Sequence, residues 1–431
     1  MVDNGTEKLY NIRRNVERKF KMKLSVIICL YNTNEEYFEK CLSSICTSTL
    51  EDYEVVVVDD GSTKDYSEII KKYNPVYVKT ENRGHLAART FGLMVAKGEY
   101  VAFVDSDDTV TVNYHKPMVD TAIKSGCDIV INDWAFKTGS VCAYCDRDTT
   151  INGDFELVGD EILERYAKHQ GRQHAYFVLW NKVFKRELLL KAKAEIEKTD
   201  AIMERMTYSE DMLITFFAFK HAQKIKNIHT GYYFYHVHAG QTIVADSSAK
   251  IKGQVDMVTK NLSIMKSSVG ENKYAEEILK NIDAWKEMMS RTHYSYAKAQ
   301  GDGELCLYIK EKYGVEKLKK STVSDNSDYI ASGLLGDSFE GIDTILRWIY
   351  KKGGEVSVNY DKKDTYVAKT IDALNESGRV TITWDSNAEI ILPKRKSSLK
   401  ARILHSRFAG TIALALFPKG SKLRRLLKSK L

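Results

Sequence analysis

The sequence predicts an α/β protein built around a mostly parallel sheet, and three observations carry that reading. First, residues 24–30, 54–58, 76–79 and 100–104 are short, continuous, largely apolar runs rich in β-branched residues. Unbroken runs of this kind, rather than polar/apolar alternation, mark strands covered on both faces. Second, helical patterns at 35–48, 64–73 and 84–97 separate them, the last closed by Gly98. Alternation at this spacing implies right-handed βαβ units. Third, polar and acidic side chains gather just where the apolar runs stop.

Further along, a helix is expected over 113–125, a strand over 128–132, helices over 160–168 and 210–223, and an extended segment over 225–236. From 248 to 318 the pattern is helical, lysine-rich and amphipathic, and alternating stretches within 354–393 suggest a small strand-containing module. The organisation expected is a basic extension at 1–22, an α/β domain at 23–240, a helical region at 241–345, the small module at 346–396 and a basic amphipathic tail at 397–431. With 431 residues, two or three units are anticipated. A composition of 43% hydrophobic and 29% charged residues excludes a disordered chain.

Seven cysteines follow no even framework, which suits a reducing compartment. The first twenty residues lack the apolar centre of a secretory signal, and no run nears the roughly 18 apolar residues of a membrane span. The net charge of +7 is unevenly spread: residues 399–431 hold nine Lys or Arg and no acid, around the ten-residue apolar stretch 408–417. Such a segment fits the interface of an anionic membrane rather than a span. Aromatics are sparse in it, which argues against nucleic acid.

In open α/β sheets ligands bind beyond the carboxyl ends of the strands. Here the first run delivers Tyr31 and Asn32, the second Asp59-Asp60-Gly61-Ser62, the third Asn82-Arg83-Gly84, and the fourth Asp105-Ser106-Asp107-Asp108. An aromatic ring suits a base, clustered carboxylates suit a hard divalent cation, and arginine suits anionic charge. Neither Gly-x-x-x-x-Gly-Lys-Ser/Thr nor Gly-x-Gly-x-x-Gly follows the first run, so a cation must do what glycine amides do elsewhere.

With these residues in place, the chain resembles family 2 glycosyltransferases of the GT-A fold, a Rossmann-like sheet flanked by helices, of the bacterial cell-surface polysaccharide type. The resemblance covers about residues 23–240. It rests on 25–32 (SVIICLYN), 58–62 (VDDGS), 82–89 (NRGHLAAR), 98–108 (GEYVAFVDSDD), 180–186 (WNKVFKR) and 209–211 (SED), in the family's order. Cys29 departs from the family's usual Pro or small polar residue.

The resemblance implies a metal-dependent, inverting transfer of a sugar from a nucleotide-sugar donor, UDP favoured, to a hydroxyl of a cell-surface glycan or lipid-linked acceptor. Tyr31 would stack on the base and Asp60 accept from a ring N–H, while one of Asp59 and Asp60 only forms the turn. Arg89 would contact the diphosphate or a carboxylate. Asp105, Ser106, Trp180 and Asn181 would line the donor or acceptor pocket. Asp107 and Asp105, with His238, would hold Mn²⁺ or Mg²⁺; Asp108 would cap the next turn. Asp211, in the first turn of a buried helix, would be the general base. Expected partners are the donor, the glycan acceptor, an anionic membrane at the inner face of the cell membrane and a second copy of the chain. The rival readings are an inactive glycan-binding scaffold and a nucleotidylyltransferase. The latter wants a Gly-rich phosphate loop where residues 31–36 read Tyr-Asn-Thr-Asn-Glu-Glu.

Overall fold

The apolar runs form the parallel strands their composition predicts. The computed structural model describes residues 22–138, 141–144, 155–169, 174–203, 205–236, 247–315, 354–359, 371–372, 375–376, 378 and 380–384. In chain order the strands are β1 (Leu24–Leu30), β2 (Tyr53–Asp59), β3 (Val76–Lys79), β4 (Tyr100–Asp105), β5 (Thr109–Val110), β6 (Ile129–Thr138), β7 (Val141–Tyr144), β8 (Glu156–Val158), β9 (Lys182–Lys185), β10 (Lys224–His236), β11 (Gly354–Asn359) and β12 (Val380–Trp384). The helices are α1 (Glu35–Cys46), α2 (Ser67–Tyr73), α3 (His85–Val95), α4 (His115–Ser125), α5 (Glu161–His169), α6 (His174–Phe177), α7 (Arg186–Ile196), α8 (Glu210–His221), α9 (Ser248–Ser267), α10 (Ala275–Ala299) and α11 (Gly303–Tyr313).

The described residues fall into two compact units. One takes in those of Met1–Trp134, Asp148–His236 and Ala245–Lys319; the other takes in those of Ala135–Arg147 and Lys320–Leu431. In the first, β4, β1, β2 and β3 lie side by side and parallel, and β9 adds antiparallel to β4. Burial of β1, β2 and β4 is nearly complete, as continuous Val/Ile runs require. Register aligns the strand ends: Leu30 pairs with Asp59, Cys29 with Asp105, and Asp59 with Lys79. The acidic and aromatic strand-end residues therefore emerge at one edge.

The described residues of the helical region up to 315 fall in this same unit, where α9 packs on α8, and α10 on α5. Helix α8 is apolar on every side and buried from Met212 to Phe219, as an internal helix must be. In the second unit, β11 pairs parallel with β12 and antiparallel with β7. Strand β9 and helix α7 have no counterpart in the sequence reading. Four residues of strand inside a motif-bearing segment give too short a period to register. The N-terminal extension, the tail and His238 lie outside the described residues.

Candidate active site

The two aspartates that end β2 divide their work. Asp59 is fully buried and accepts from the Ser62 amide (2.7 Å) and the Tyr77 hydroxyl (2.6 Å), so it forms the turn. Asp60 turns the other way and accepts from the backbone amides of Arg83 (2.8 Å) and Gly84 (2.9 Å), bracing the entry to α3. Each of its oxygens keeps a further lone pair. Two glycines make this geometry possible. Gly61 (φ +78°) and Gly84 (φ +89°) lie in the left-handed region, and an added Cβ would meet the Asn82 nitrogen at 2.7 Å or the Met206 carbonyl oxygen at 2.6 Å.

Tyr31 stands at the end of β1 with 43% of its surface exposed, an aromatic face open for stacking. Its neighbour Asn32 adopts φ 51° and accepts from the Thr63 amide, tying the β1 and β2 turns together. Ser106 is buried, its hydroxyl 2.6 Å from that of Thr33, so it fixes the loop after β1 to the β4 end.

Arg89 is buried on α3, which rules out a surface role. Its Nη2 donates to Asp105 Oδ1 (3.0 Å) and its Nη1 to Glu210 Oε1, while His85 Nδ1 lies 3.4 Å from the same Glu210 oxygen. Burial works against the Arg89 charge, but Glu210 and Asp105 override it and raise the pKa. Burial likewise opposes the Glu210 charge, yet Arg89 and His85 hold it at about 2. Neither Glu210 nor His85 was singled out from sequence. Glu210 sits inside the SED motif and His85 inside NRGH, so the signal was present but carried no distinction between neighbours.

The cluster at the end of β4 also splits. Asp108 is buried and accepts from the Tyr233 hydroxyl (2.6 Å) and the His236 amide (2.7 Å), binding β10 to the site. Asp105 and Asp107 are half-buried. Burial raises Asp105, with Arg89 opposing and the negative charge of Asp107 reinforcing the shift. Two half-buried carboxylates that repel one another make a donor set of hard oxygens that fits a small divalent ion. Among the described residues no group of three His, Cys, Asp or Glu forms a ready-made metal cage.

Asp211 occupies the first turn of α8 and is half-buried. Burial and the neighbouring Glu210 charge raise its pKa to about 7, with Arg89 opposing. Trp180 is 5% exposed, stacked on Tyr233 (4.4 Å between ring centroids) and edge-on to Trp134 (5.3 Å). Asn181 is fully buried and accepts from Lys182 Nζ (2.7 Å), whose ammonium burial pushes well below its ordinary value, Asp211 opposing. The Trp180-Asn181-Lys182 segment is thus buried, with Trp180 against the Tyr233 ring whose hydroxyl donates to Asp108.

The sequence model of glycosyl transferase family 2 matches residues 25–144, the span from β1 to β7. Among curated proteins, the chain is 25% identical to "Putative glycosyltransferase EpsH" of Bacillus subtilis over 270 residues, 61% of this chain and 73% of that one. It is 32% identical to "Glycosyltransferase GlyA" of Streptococcus pneumoniae over 193 residues, 41% of this chain but only 26% of that protein. Of solved structures, Staphylococcus aureus TarS 1–349 aligns over 70% of this chain and 95% of its own, with 20% identity and a TM-score of 0.41. The span that matches the glycosyl transferase family 2 model thus carries Tyr31, Asp60, Arg89 and the Asp105–Asp108 cluster, and with these relatives it marks the chain as a glycosyltransferase.

Proposed function

We propose that the protein transfers a sugar from a nucleotide-sugar donor, a UDP-sugar, to an acceptor hydroxyl with inversion at the anomeric carbon, and that Asp211 is the general base. The observation that carries this reading is the state of Asp211: half-buried, with its carboxyl raised to about 7, one residue beyond a Glu210 that Arg89 ties to Asp105. A general base works best when its pKa lies near the working pH.

On this reading Tyr31 stacks on the base, and the remaining Asp60 lone pairs accept from a ring N–H. Asp107 and the Asp105 oxygen not bound to Arg89 would hold Mn²⁺ or Mg²⁺, which supplies charge neutralisation for the departing diphosphate. Asp211 takes the acceptor's hydroxyl proton as that oxygen bonds to the anomeric carbon and the bond to the diphosphate breaks. A single displacement of this kind inverts the centre and needs no enzyme nucleophile. The Arg89 pairing keeps Glu210 ionised, and Glu210 in turn raises Asp211 toward neutrality.

The acceptor we propose is a cell-surface or lipid-linked glycan, reached with the 397–431 tail at the inner membrane leaflet. Its nine basic residues and short apolar stretch support this. Among the described residues no helix is long and apolar enough to cross a membrane. Deleting 394–431 should abolish sedimentation with anionic liposomes. The chemistry is tested by following UDP release from a panel of UDP-sugars with and without Mn²⁺, beside Asp211→Asn. Release that ignores both the metal and the substitution sinks the mechanism.

A further inference from the structure

Helix α8 starts in an unusual way. Its N-cap, Ser209, is a non-glycine residue at φ 60°, ψ 15°, the left-handed region that a Cβ disfavours, and its side chain makes no capping hydrogen bond to the helix. Something outside the turn must hold that conformation. Asn261, fully buried on α9, donates from Nδ2 to the Ser209 carbonyl oxygen and to its Oγ, both at 2.9 Å. A carbonyl oxygen only accepts, so this contact fixes which end of the carboxamide faces the turn. One helical turn earlier, the Met257 sulfur accepts from the Thr207 amide at 3.4 Å. Two side chains four residues apart on one helix thus grip both sides of the same loop.

The mounting is rigid. Helix α9 buries Ile251, Val255, Val258, Leu262 and Met265 around Asn261. The gripped loop also reaches the opposite wall of the site, where the Met206 carbonyl lies against Gly84 and accepts weakly from the Leu86 amide (3.4 Å). The backbone direction at Ser209 decides where Glu210 and Asp211 emerge, and Glu210 must meet Arg89 there.

We propose that Asn261, from a helix outside the sheet, is a positioning residue for transfer: its carboxamide holds Ser209 left-handed and so aims Asp211 at the acceptor hydroxyl. The proposal rests on Asp211 as general base. It gives the helical region a part in catalysis through the loop it grips. Displacing a reacting group by about 1 Å can cost on the order of a hundredfold in rate.

The test uses the full chain and the UDP-sugar that gives fastest UDP release. Asn261→Leu keeps the branched shape and removes the donors. Expected is a fall in kcat of about 10- to 100-fold with the donor KM within about twofold, while Lys266→Ala, at an exposed α9 ion pair, changes neither. Glycine adopts the left-handed region without penalty, so in a Ser209→Gly background the loss caused by Asn261→Leu should shrink to about threefold or less. Should Asn261→Leu give no cooperative melt, Asn261→Ser, too short to span the contact, carries the same comparison. Unchanged kcat for the Asn261 variant, or an equal loss in both backgrounds, overturns the proposal while Asp211→Asn is inactive. Full turnover by Asp211→Asn overturns the general-base reading itself.

Discussion

Arg89 Nη1 donates to Glu210 Oε1 in the buried interior, which ties the helix after β3 to the first turn of the helix that carries Asp211. The two residues are 121 positions apart. Removing one partner of such a pair strands a charge away from water, which is worth more than the pair itself. Arg89→Met should therefore cost about 3–5 kcal/mol in urea denaturation. Arg89→Lys keeps the charge but cannot reach Glu210 and Asp105 with a planar fork, and should fall between wild type and Arg89→Met. A loss under about 1 kcal/mol for Arg89→Met would show that the pair is effectively solvated.

The raised Asp211 pKa fixes two pH dependences with opposite signs. A base acts when deprotonated, so kcat/KM should fall about tenfold per unit as pH drops below about 7 and level off above it. Stability runs the other way. A carboxyl raised above its unfolded value favours the folded state while protonated, and that contribution is lost as pH rises through about 7. Asp211→Asn should thus raise the melting temperature fully above pH 7, and by progressively less toward pH 4. An identical shift at pH 5 and pH 8 would place the perturbed group elsewhere.

How much of this was legible follows from what each signal encodes. The parallel sheet was legible because continuous Val/Ile runs such as Glu54–Val58 have one physical use, burial on both faces. The strand-end carboxylates were legible because topology puts strand ends together. The division between Asp59 and Asp60 was not, since both suit a turn before Gly61, and only their tertiary contacts separate them: Tyr77 and Ser62 for Asp59, Arg83 and Gly84 for Asp60. Likewise Trp180 reads as a motif residue, but its stacking partner Tyr233 lies 53 positions on and no local pattern links them. Arg89 could be placed near the acidic edge, whereas its bond to Glu210 depends on where α8 packs.

Asp107 and Asp108 are adjacent in sequence and should behave differently. Asp107→Asn removes a half-buried oxygen donor at the strand end, so the half-saturating Mn²⁺ concentration for UDP release should rise about tenfold or more with the melting temperature little changed. Tyr233→Phe instead deprives the buried Asp108 carboxylate of a 2.6 Å hydrogen bond. Its cost should appear as about 1–3 kcal/mol of stability, with the metal requirement intact. The reverse pattern would exchange the roles of the two aspartates.

Tyr31 separates binding from folding most cleanly, because 43% of its surface is already exposed and an aromatic there adds little to the core. Stacking on a base is worth about 1–3 kcal/mol, so Tyr31→Ala should weaken UDP binding about 5- to 150-fold by calorimetry. Tyr31→Phe keeps the ring face and should bind within about twofold of wild type, and neither variant should move the melting temperature by more than about 2 °C. The pair of substitutions isolates the ring from the hydroxyl. Equal losses in Ala and Phe would mean that the phenol oxygen, rather than the ring face, meets the nucleotide. No loss in either would leave the base to Asp60 and the β2 turn alone.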